Sequence, residues 1–154
     1  MYSFSYWKNH FNTNGIPFDK EPFIPFMTLW MSYNNFYNNF TGCERTRACK
    51  IGEDEKAKKI FEDNKDKFLF EFSNIPQSNS TPRLCVINPK ERKRNAYFDE
   101  QHPEIKDFLS AVYQIRCNLF HGDKSPHIDV DKGLVKWAYE CLYKILHEYK
   151  PDLF

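Results

Sequence analysis

"PEIKDFLSAVYQIRCNLFHGDKSP", residues 103–126, is the stretch on which the fold turns. Pro103 suits the first turn of a helix. Ile105, Phe108, Leu109, Val112, Leu119 and Phe120 fall on one side of a wheel drawn at about 100° per residue. The spacing predicts a helix from about Pro103 to Phe120 that buries this stripe. Gly122 suits the left-handed residue that ends it, and Pro126 keeps it from continuing. Arg116 disturbs the pattern, because it falls in the middle of the stripe. A guanidinium cannot shed its charge, so it must meet a partner, water or a ligand there. Asp107, Ser110, Gln114, Cys117, Asn118 and His121 occupy the opposite face, which is either solvated or a contact surface.

Outward from this helix, three more segments carry helical spacing. Phe23, Phe26, Met27, Trp30, Tyr33, Tyr37 and Phe40 step by three and four, predicting a helix over about 23–40. Ala57, Ile60, Phe61, Phe68, Leu69 and Phe72 do the same over about 54–72, with a densely charged opposite face. Leu134, Trp137, Ala138, Cys141, Leu142, Ile145 and Tyr149 mark a last helix over about 129–149, capped by Asp129 or Asp131 and closed by Pro151. Residues 41–55 read as a loop. Residues 1–22, punctuated by Gly15, Pro17 and Pro22, read as an irregular arm ahead of a helical domain over 23–154. The long connection between the second and third helices has room for one short strand or hairpin near Leu84–Ile87. The expectation is an all-α, up-and-down four-helix bundle with one long connection.

The 154 residues suit one domain, and 15 Phe, 9 Tyr and 3 Trp supply the bulk for its core. A net charge of +1 predicts no polyanion partner from bulk charge alone, so nucleic-acid binding would need a local patch. The start of the chain lacks a basic segment followed by an apolar run, and no apolar run approaches a membrane span. A cytoplasmic protein without membrane contact is expected. The five cysteines form no CxxC pair. Free thiols are expected, and neither a structural metal site nor a cofactor.

The chemistry concentrates where the Pro103–Phe120 helix ends. The free carbonyls there favour imidazolium at His121, and an imidazole titrating near neutrality can act as acid or base. Arg116 offers a fixed charge to a phosphate oxygen. Together they are the minimum set for metal-free RNA cleavage: a base takes the 2′-OH proton, the hydroxyl attacks phosphorus, and the cation steadies the phosphorane. Positions five apart on a helix point roughly 140° away from each other. Either the helix end unwinds, or a second copy completes the site across a two-fold axis. The competing reading pairs Arg116 with an acid from another helix and makes His121 a C-terminal cap. Lys90, Arg92, Lys93 and Arg94 form a basic cluster, and Lys124 flanks the helix end. These five are the candidate RNA-binding cations.

"YQIRCNLFHGDKSP" followed by an amphipathic helix resembles the HEPN superfamily (higher eukaryote and prokaryote nucleotide-binding domains). Its ribonuclease members carry an Arg, four to six residues and a His at a helix end. The form here is close to a prokaryotic branch that reads Arg-Asn-x-x-Phe-His-Gly. "FMTLWMSYNNFYNNF" is similar to the family's opening helix. The resemblance spans about residues 23–150 and is sharpest over 112–126. It implies a helical bundle, a homodimer through the motif helices, and a metal-independent endoribonuclease acting on RNA. Many members are toxins held by an antitoxin, or effectors of antiphage defence; others only bind nucleotides or partners. Arg116 and His121 match the motif pair. The family commonly places Asn directly after the Arg, where this chain has Cys117, with Asn118 one position later. Asn118 lies nearer His121 and is the candidate for the polar role.

Overall fold

The computed structural model describes residues 3–16, 18, 20–75, 85–86, 88, 90, 95–97, 101–122 and 128–154. The helices among them are α1 (Phe4–Thr13), α2 (Phe23–Tyr37), α3 (Glu44–Cys49), α4 (Glu55–Ser73), α5 (Ile105–Phe120) and α6 (Asp129–Tyr149), with a 3₁₀ turn over Lys50–Glu53. Strands β1 (Cys85–Val86) and β2 (Ala96–Tyr97) pair antiparallel, Cys85 with Tyr97 and Val86 with Ala96. The architecture is an all-α bundle with one small hairpin in the connection between α4 and α5. No described helix is long and apolar enough to cross a membrane.

The four long helices arise where the apolar spacing predicts them. α6 packs against α2 and α4, and all of them feed one core. Aromatic rings dominate it. Trp137 of α6 lies 4.6 Å from Phe72 and 5.4 Å from Phe108 between ring centroids. Trp30 of α2 meets Tyr33 and Tyr37 edge-on. Edge-on contacts of this kind add to the burial of each ring. The charged face of α4 carries i,i+3 pairs such as Lys58–Glu55 and Lys65–Glu62 and stays in solvent.

Asp54 starts α4: its Oδ1 accepts from the backbone N–H groups of Lys56 at 2.8 Å and Ala57 at 3.4 Å. An N-cap of this kind is worth about 1 kcal/mol. Asp54→Ala is therefore expected to lower the thermal midpoint by about 2–4 °C, and a melt that does not shift would show the cap to be dispensable.

Several expectations need correction. The segment 1–22 is not an irregular arm. Ser3 Oγ accepts from the Tyr6 N–H at 3.2 Å and caps α1, whose Phe4 is buried together with Phe18 in the common core. The segment 41–55 is not simply a loop but holds α3 and the 3₁₀ turn, with Ala48 and Ile51 buried. α2 ends at Tyr37, three residues before Phe40. Its Met27 is 39% exposed. Neither Asp129 nor Asp131 caps α6: Ile128 holds the N-cap position without a side-chain bond, and both acids sit in the first turn, where the helix dipole favours them. Phe120, expected in the buried stripe of α5, is 48% exposed because its ring covers the Arg116 guanidinium instead.

Candidate functional site at the end of helix α5

α5 presents two faces. One buries Phe108, Val112 and Ile115 in the core. The other, with Ser110, Gln114, Cys117 and Asn118, is partly covered by α3, which packs across it. Between α3, the hairpin region and the C-terminal turns of α5 opens a cleft of about 600 Å³. Cys43, Glu44 and Arg45 line it from α3 and its N-cap; Asn88 and Lys90 from the connection; Tyr113, Gln114, Cys117, Asn118 and His121 from α5.

His121 is the C-cap of α5. Its backbone N–H donates to the Cys117 carbonyl at 3.0 Å, while its imidazole is exposed at the cleft. Gly122 follows with φ +77°, the left-handed conformation that ends the helix. The capping described for the competing reading is thus a backbone role, and it leaves the ring available.

Asn118 is buried. Its Oδ1 accepts from Gln114 Nε2 at 2.6 Å. Gln114 Oε1 in turn accepts from Arg45 Nη2 at 2.8 Å and from Asn88 Nδ2 at 3.4 Å. A chain of amides therefore runs from the connection through the cleft wall toward the helix end. Buried amides this close must be mutually satisfied, which fixes their orientation.

Arg116 does not line the cleft. Its Nη2 pairs with Glu44 Oε1 at 2.9 Å. The guanidinium carbon lies 4.8 Å from the Phe120 ring centre and 5.9 Å from those of Trp30 and Tyr113. Its buried Nε finds no hydrogen-bond partner among the described residues. Glu44 also accepts from Tyr37 Oη at 3.2 Å and Tyr113 Oη at 3.3 Å. Burial first, and then the Glu44 carboxylate, push the Tyr37 phenol well above its usual range, so it remains a hydrogen-bond donor. Within one protomer Arg116 has the partner from another helix that the competing reading supplies. The pair is half-buried, with side-chain exposures of 19% and 33%. Breaking it by Glu44→Gln is expected to cost about 2 kcal/mol, between an exposed pair and a fully buried one. Urea unfolding measures this, and an unchanged midpoint would mean that the pair contributes no net stability.

Of the residues proposed from sequence, His121, Asn118 and Lys90 meet at the cleft, and Arg116 stands behind it on Glu44. Arg92, Lys93, Arg94 and Lys124 lie outside the described residues. The sequence reading missed Arg45, Glu44 and Asn88, and it left Gln114 as an unassigned polar residue. The available signal was the spacing of Gln114 and Asn118, four apart on one helix face. Among the described residues, no group of three or more His, Cys, Asp or Glu side chains is placed to hold a metal ion. Compared with family models, curated proteins and solved structures, the chain matches none.

Proposed function

We propose that this chain is a metal-independent endoribonuclease of HEPN type that works as a homodimer. The observation that carries the reading is the exposed imidazole of His121, which opens from the end of α5 onto a cleft lined by Asn118, Arg45 and Lys90. In this reading His121 takes the proton from the ribose 2′-OH and returns one to the leaving 5′-oxygen. The products are a 2′,3′-cyclic phosphate and a 5′-hydroxyl. Asn118, held by Gln114, positions the scissile phosphate. Arg116 binds the scissile phosphate once that phosphate replaces the Glu44 carboxylate as its partner.

One observation favours a different class of function. The Arg116–Glu44 pair suits a non-catalytic helical module that binds a nucleotide or a partner protein. Incubating the purified chain with labelled RNA in EDTA separates the two. Cleavage yielding cyclic phosphate ends supports the enzyme. Intact RNA with a folded dimer overturns it. Toxicity on expression would accord with a role as toxin or antiphage effector.

A further inference from the structure

We propose that Arg45 binds an RNA phosphate in the cleft beside His121, a contact additional to the one given to Arg116. The proposal rests on the ribonuclease reading and deepens it.

The two arginines differ in what neutralises them. Arg116 faces a carboxylate, and its charge is cancelled locally. Arg45 has neutral hydrogen-bond partners among the described residues. Its Nη1 donates to Ser110 Oγ at 3.4 Å and its Nη2 to Gln114 Oε1 at 2.8 Å. Its guanidinium carbon lies 5.1 Å from the centre of the Tyr113 ring. The single carboxylate among the described lining residues is Glu44, which Arg116 and two tyrosine hydroxyls already occupy.

A half-buried guanidinium held by neutral groups keeps its full charge and loses much of its freedom. Neutral acceptors and an aromatic face position the fork without discharging it, and the remaining N–H donors suit a phosphate. Pre-ordering also lowers the entropy that binding must cost. Lys90, exposed on the same cleft, adds a second positive charge at the entrance. An anion that enters therefore meets Arg45 and Lys90 before it can compete for Arg116.

The test uses the full chain with His121→Ala, so that the RNA survives, and a labelled single-stranded RNA of mixed sequence. Binding is followed by anisotropy across a salt series. Adding Arg45→Gln should weaken binding roughly tenfold and flatten the slope of log affinity against log salt by about 0.7, the value for one lost single-strand phosphate contact. Arg45→Lys should keep the slope. Arg45→Met retains the aliphatic stem over Tyr113 and removes the charge, so it repeats the measurement if the glutamine variant does not fold. A purely structural Arg45 would change the melting midpoint and leave the salt slope alone. An unchanged slope in a folded, RNA-binding variant overturns the assignment while the ribonuclease reading stands. A parent that neither binds RNA nor, with His121 intact, cleaves it overturns both.

Discussion

Replacing His121 by alanine is expected to slow RNA cleavage by about 10²–10⁴-fold, the usual contribution of a positioned acid–base group. The melting midpoint should move by no more than about 2 °C, since an exposed side chain away from the core rarely carries more than about 0.5 kcal/mol. The two readouts separate because the residue's structural and chemical roles use different atoms. Its backbone N–H closes the last turn of α5 on the Cys117 carbonyl, and alanine preserves that bond. The residue is exposed and lines the cleft. Added imidazole should restore part of the lost rate, which a loss of folding would not allow. End analysis of the products checks the mechanism, because 2′-OH attack leaves a cyclic phosphate. A His121→Ala protein that cuts at the parental rate would remove the acid–base role altogether.

The largest effect on stability is expected from Trp137→Ala, at about 3–5 kcal/mol. Trp137 is 3% exposed and sits between α4 and α5, against Phe72 and Phe108. Its Nε1 also donates to the Phe68 carbonyl at 2.9 Å. Alanine empties an indole-sized volume where three helices meet and leaves that carbonyl without its donor. A domain of this size then melts roughly 10 °C lower. Trp137→Phe separates the two contributions: it keeps most of the ring and loses the hydrogen bond, for about 1 kcal/mol. Equal losses in both variants would mean that the hydrogen bond, and not the packing, dominates. Calorimetry or urea unfolding decides.

The four long helices were legible because each buries a stripe at three–four spacing, and the burial of rings such as Phe61, Phe108 and Trp137 rewards that spacing directly. α1 carries the same signal in Phe4, Trp7 and Phe11, but the additional rings of Tyr6 and His10, both exposed, blurred it. α3 could not be read from its residues. "ERTRAC" buries only Ala48, and a helix of six residues has no stability of its own. It forms because partners elsewhere claim it: the Tyr33 hydroxyl takes the Ala48 carbonyl, Arg116 takes Glu44, and Gln114 takes Arg45. The site was legible in the same uneven way. His121, Asn118 and Arg116 stood out because charge or polarity interrupted a regular helix. The charge balance around them was hidden, because Glu44 and Arg45 arrive from a segment that local spacing does not describe. Adjacent in sequence, they act on different arginine chemistry, one cancelling a charge and the other presenting one.

The hydrogen bond from Arg45 to Gln114 joins residues 69 positions apart, as does that from Tyr113 to Glu44. During synthesis, α3 leaves the ribosome long before α5, and until α5 follows it can fold only against α2. A prematurely terminated product that ends before α5 would carry half of each contact and no enclosed space between them. Assembly of the cleft is thus tied to late translation, when the domain can condense as a unit. A cell producing this chain would meet the assembled site only in copies that extend past α5.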